Sequence, residues 1–208
     1  MKFMKWKILI ITCVVCLLPI LLGVALWDRL PATMAIHFDM YNRPDNFASK
    51  GFVVFGLPLM MVVLQIVCCA INAVKAAQHG ERKKFSTVTK WIIPVMSIVL
   101  QTVTLLYGLG MAIDIRRVAM LIVALIFVIM GNYMPKFDHI KNYDLETHKA
   151  RRINRFIGNL MVIMGLLAVV SIFLPPVYSV LWLILLIPYG IVCIIYGVKV
   201  GRKNEKNS

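Results

Sequence analysis

Acidic side chains are scarce in this chain: nine Asp and Glu in 208 residues, against 23 Lys and Arg. Charge of either sign is also missing from the middles of six long apolar runs. These are about Ile8–Trp27, Phe52–Val74, Trp91–Ile113, Val118–Met134, Phe156–Leu174 and Val180–Val198. Ionisable groups inside membrane spans mark proton relays and ion paths, so their absence here argues against a proton-coupled pump. Enzyme signatures are absent too. There is no G-x-S-x-G, H-E-x-x-H or phosphate-binding loop, and no nucleophile–base pair can be read, which points away from an enzyme. The five cysteines, Cys13, Cys16, Cys68, Cys69 and Cys193, all fall inside apolar runs. Cys13-x-x-Cys16 has redox or metal spacing but no further ligands nearby. Buried thiols act as small hydrophobes, so neither a metal nor a cofactor is read. His79, His139 and His148 stand in polar loops near acids, as solvated surface histidines do. The basic excess has no interleaved aromatics of a nucleic-acid module, so nucleic acid is excluded as a partner.

What is present is apolar surface. Hydrophobic residues make up 61% of the chain, and the mean hydropathy is +0.84. A bilayer core about 30 Å thick takes roughly 20 apolar residues per helix. The class is therefore all-α: a polytopic membrane protein of six transmembrane helices in one integral domain, with the lipid bilayer as its first partner. The first run follows Lys2, Lys5 and Lys7 and is longer than a signal-peptide core, which predicts an uncleaved first helix. Lys and Arg divide between alternate connecting segments as 18 against 5. The positive-inside rule then places both termini in the cytoplasm of a bacterial cytoplasmic membrane. Loops 78–90 and 135–155 fall inside and segment 28–51 outside. Spans three and four (91–134) and spans five and six (156–198) read as helical hairpins. Residues 1–77 read as two spans joined by the outer segment.

Trp6, Trp27, Trp91, Tyr133, Tyr178 and Trp182 lie near the predicted interfaces, as an aromatic belt does. Pro58, Pro94 and Pro188 are expected to kink their helices. Polar groups inside the spans are few. Gln65 and Gln101 fall near the centres of adjacent antiparallel spans, where a hydrogen bond between them would act as helix glue worth about 0.6–2 kcal/mol; a substrate contact is the alternative.

The most polar part of the first third is "LPATMAIHFDMYNRPDNFASKG", Leu30 to Gly51. Pro31 and Pro44 restrict the backbone, and "NRPD" favours a turn. Ile36, Phe38, Met40 and Phe47 are placed to pack on span ends or lipid. His37 and Asp39, two apart, face one way if the segment is extended. A cap held by local hydrogen bonds and by Arg29–Asp or Lys50–Asp pairs is expected, built of a short helix or extended pieces. His37, Asp39, Asp45 and Lys50 are the candidates for contacting an external ligand or peptide.

Leu30-Pro31, His37-Phe38-Asp39, Pro44-Asp45, Phe47 and Ser49-Lys50 together resemble the module in the first loop of SdpI-type bacterial membrane proteins. That module reads leucine-proline, His-Phe-Asn, Gly-x-Pro-Asp, an aromatic and Ser-Lys. Asn42 stands where the family often has Gly, and either residue adopts the left-handed turn conformation. A second match is "GNYMPK", with Gly131, Asn132, Pro135 and Lys136, followed by "RINRFIGNLMVIMG" from Arg152 to Gly165. Pro31, Phe38, Pro44, Gly131, Asn132, Pro135 and Lys136 are the structural residues of these motifs. Between the two parts of the second match the family has a longer segment, whereas this chain has "FDHIKNYDLETHKA". The resemblance implies immunity to a secreted, membrane-active peptide, with that toxic peptide as the outside partner. It also implies a sensing role with a cytoplasmic regulator, but the altered cytoplasmic stretch keeps the repressor-holding function from being carried over. Transport or handling of a small molecule or lipid is the rival reading. Ligand identity and oligomeric state cannot be read from the residues.

Overall fold

A computed structural model of the chain describes residues 5–79, 83–136 and 145–202, with side chains at 5–78, 85–135 and 151–200. His79, His139 and His148 lie outside the described side chains, as does Lys136. Among the described residues six helices are long and apolar enough to cross a membrane. They are α1 (Trp6–Ala25), α2 (Leu57–His79, preceded by a π-helical turn over Phe52–Gly56), α3 (Lys83–Gly108), α4 (Ile115–Tyr133), α5 (Leu145–Ile172) and α6 (Pro176–Arg202). The six predicted spans correspond to these six helices. The third begins earlier than expected, so Lys90, assigned to a loop from the sequence, lies inside α3 and is buried. The helical architecture is joined by one sheet: β1 (Thr33–Phe38) and β2 (Pro44–Ser49) pair antiparallel as a hairpin between α1 and α2.

The chain divides into two compact units, Met1–Arg116 and Arg117–Ser208. In the first, α1, α2 and α3 pack together, and the hairpin sits on one end of the bundle over Leu30, Met34, Val53, Val54 and Leu105. The helices are joined by side chain to main chain bonds. In the π-turn Leu57 N–H donates to the Phe52 carbonyl, five residues back. By the same spacing the Val53 carbonyl would accept from residue 58, but Pro58 has no N–H. Gln101 Nε2 from α3 donates to that carbonyl at 2.7 Å instead. Ser97 Oγ donates to the Cys16 carbonyl at 2.9 Å, three residues before Pro19 inside α1. Gln65 Nε2 donates to Thr12 Oγ1 at 2.8 Å and to the Lys90 carbonyl at 2.9 Å.

The expected Gln65–Gln101 bond is therefore not made. Gln65 on α2 meets Lys90 on α3, and Gln101 on α3 meets Val53. The two amides lie eleven to twelve residues apart along the helices, about 17 Å at 1.5 Å per residue. Both are helix glue, each toward a different neighbour.

In the second unit, α4 and α5 cross with their backbones in contact. A Cβ on Gly131 would come within 2.6 Å of the Gly158 carbonyl oxygen, and a Cβ on Gly158 within 2.6 Å of the Gly131 carbonyl oxygen. Seven residues away in each helix, a Cβ on Gly165 would lie 2.9 Å from the Ala124 carbonyl oxygen. These pairs define an antiparallel seam of small residues, which lets two helices approach closely where lipid offers no hydrophobic drive. Pro135 also rests on Gly158, so Gly131 and Pro135 of the "GNYMPK" motif meet the glycine of "RFIGN". Trp182 is not a belt residue. It is 2% exposed, donates through Nε1 to the Met164 carbonyl at 2.8 Å, and meets Phe127 edge-on.

Candidate functional site

The hairpin forms because Thr33–Phe38 is rich in β-branched and aromatic residues and is followed by turn chemistry. Asp39 Oδ1 accepts from the Tyr41 and Arg43 amides at 2.9 and 2.8 Å, and Asn42 N–H donates to the Asp39 carbonyl. Asn42 itself has φ +64°, the left-handed conformation that Gly or Asn tolerates. Pro44 opens β2, a position where a missing N–H costs little.

Three contacts fix the hairpin to the bundle. Met34 lies against Gly108, where an added Cβ would come within 2.3 Å of the Met34 methyl. Phe38 meets Tyr107 edge-on, with ring centroids 4.8 Å apart. Asn42 spans the tip: Nδ2 donates to the Ile113 carbonyl at 3.0 Å, and Oδ1 accepts from the Ile115 amide at 2.8 Å. Asn42 thus caps α4 from a distant part of the chain. α3 ends beneath it in a Schellman arrangement, with Gly110 at φ +86° and Gly110 and Met111 amides donating to the Tyr107 and Leu106 carbonyls.

Among the described residues Lys50 pairs with no aspartate, contrary to expectation. Its ammonium donates to the Trp27 carbonyl at 3.0 Å and the Leu30 carbonyl at 3.4 Å, and lies 4.6 Å from the Trp27 ring centre. A cation on the free carbonyls after a helix end is favourable, so Lys50 closes the exit of α1. Its amide also donates to the Ala32 carbonyl beside the hairpin. Pro31 lies in the exposed link between these carbonyls and β1.

Among the residues left outward are His37, Asp45, Tyr41 and Phe47. His37 Nδ1 and Asp45 Oδ1 are 2.5 Å apart, with side chains 68% and 46% exposed. His37 meets Asp45 and not Asp39, which is committed to the turn, and the ladder is irregular between Ala35 and Phe38. Phe47 and Tyr41 are exposed aromatics, and Arg43 stands over the Tyr41 ring. Phe38, of the four apolar residues expected to pack, meets Tyr107, whereas Phe47 points to the surroundings. Met34 and Asn42 carry most of the anchoring. The αL-prone Asn in "YNRPD" was a readable signal, but its partner 71 residues away was not.

Part of this cap lies in the stretch that comparison with known proteins matches. A family profile described as "Domain of unknown function (DUF1648)" matches residues 14–62, the stretch from mid-α1 through the hairpin into α2. The chain is 25% identical over 190 residues to "Immunity protein SdpI" of Bacillus subtilis (strain 168), covering 88% of this chain and 90% of that protein. The chain is thus similar to an SdpI-type membrane protein over most of its length. No solved structure matches the chain. At 88% of the chain, the alignment takes in sequence from both compact units.

Proposed function

We propose that this SdpI-like chain is a non-enzymatic immunity protein of the bacterial cytoplasmic membrane, with both termini in the cytoplasm. It protects its cell from a secreted, membrane-active peptide, and the hairpin cap is the face such a peptide meets first. The observation that carries this reading is the hairpin itself. It is clamped to the helix ends by Met34, Phe38 and Asn42, yet presents His37, Asp45, Tyr41 and Phe47 outward. Preorganised aromatic and charged side chains lose little conformational freedom on binding, which favours recognition. The charge division of 18 against 5 supports an outward-facing cap.

The test is deletion of the protein in its native host, followed by challenge with the culture's own secreted peptides. His37→Ala, Asp45→Ala and Phe47→Ala replace exposed side chains, so protein abundance should hold while protection falls. Lys50→Ala is unsuited to this purpose, because it uncaps α1. Lys75→Ala, on the opposite end of the first unit, should protect as the parent does. A deletion strain no more sensitive than its parent would end the proposal, as would three hairpin variants that all protect normally.

A further inference from the structure

The end of the first unit opposite the hairpin contains a buried polar atom that the packing does not satisfy, beside a largely buried lysine. Gln65 is fully buried. Its Nε2 is held by Thr12 and the Lys90 carbonyl, but its Oε1 has no hydrogen-bond partner. Lys90 is only 7% exposed. It meets α2 at Gln65, three and four residues before Cys68 and Cys69. The described carboxylates, Asp28, Asp39, Asp45 and Asp114, all stand at the hairpin end, and no ion pair reaches Lys90 among the described residues. A buried acceptor without a donor is costly, and a largely enclosed lysine favours an anion beside it.

The depth of this pair indicates its ligand. Trp6 and Trp91 are exposed at this end and mark the headgroup boundary. Lys90 immediately precedes Trp91 but is turned into the α1–α2–α3 junction. Exposed Lys7 and Lys75 stand at the same end and draw anionic headgroups toward it. We propose that this junction is a site for the phosphate of an anionic membrane lipid. Lys90 supplies the counter-charge, and Gln65 Oε1 accepts a hydrogen bond from a headgroup hydroxyl. The site is independent of peptide immunity, since it lies at the far end of the unit from the hairpin.

The experiment uses the full chain in nanodiscs of phosphatidylglycerol or phosphatidylcholine, read by thermal unfolding and by lipid retention in native mass spectrometry. The parent should unfold at higher temperature in phosphatidylglycerol. Lys90→Gln should abolish that difference and weaken phosphatidylglycerol retention by about fivefold, the equivalent of ~1 kcal/mol for one lysine near anionic lipid. Lys75→Gln should keep most of the difference. Lys90→Met in phosphatidylcholine should be at least as stable as the parent, because it removes a buried charge; this separates loss of the site from failure to fold. Inorganic phosphate added to phosphatidylcholine nanodiscs should have no effect. If it reproduces the shift through Lys90, the phosphate site stands with a free anion as occupant. Equal stability of the parent in both lipids, or a lipid effect retained by Lys90→Gln, overturns the proposal.

Discussion

Replacing Asn42 tests the clamp between the hairpin and α4, because one side chain carries two separable contributions. Its amide makes two hydrogen bonds, to the Ile113 carbonyl and from the Ile115 amide, and its backbone holds φ +64°. Asn42→Gly keeps the backbone conformation and removes both bonds. A helix cap and a part-buried hydrogen bond together predict a loss of about 1–2 kcal/mol. Asn42→Ala removes the same bonds and adds the left-handed penalty of an L-residue, about 1–2 kcal/mol, for a total near 2–4 kcal/mol. Asn42→Asp keeps the acceptor for the Ile115 amide and places a negative charge at the start of α4, so its cost should be below that of Gly. The expected order of stability is parent, Asp, Gly, Ala. Denaturant unfolding in detergent measures the order, and hydrogen exchange at Ile115 and over residues 33–49 locates it. Equal Gly and Ala variants would refute the backbone argument. Three variants within about 0.5 kcal/mol of the parent, the usual range for surface substitutions, would refute the clamp.

Two further outcomes follow from other parts of the chain. Gly158→Ala should destabilise by about 1–3 kcal/mol, because the methyl meets the Gly131 carbonyl and the Pro135 ring. Gly190→Ala, where an added Cβ meets nothing within 4 Å, should be neutral or slightly stabilising by the same unfolding assay. In a background without native cysteines, a single Cys at exposed Asn46 should react with a membrane-impermeant reagent from outside, and one at exposed Lys75 only after permeabilisation. External labelling at Lys75 would reverse the orientation.

The six helices, the turn at "NRPD" and the left-handed Asn42 were all legible in the residues. Length against bilayer thickness sets the spans, and local sterics set the turn, so neither depends on distant parts of the chain. The partners of Gln65, Gln101, Lys50 and Trp182 were not legible, nor was the burial of Lys90. Gln65 and Gln101 look like neighbours when counted from span centres, but the register between α2 and α3 places them far apart. Trp182 looks like a belt residue by position, yet α5 and α4 enclose it. The motif glycine Gly131 was visible, while its contact with Gly158 required the α4–α5 crossing. In a bilayer, lipid-facing and protein-facing surfaces are both apolar, so a span's sequence marks its length and ends far better than the side it turns to its neighbours. Rotation and register were therefore left to close packing and to the few buried hydrogen bonds, and only the tertiary structure decided them.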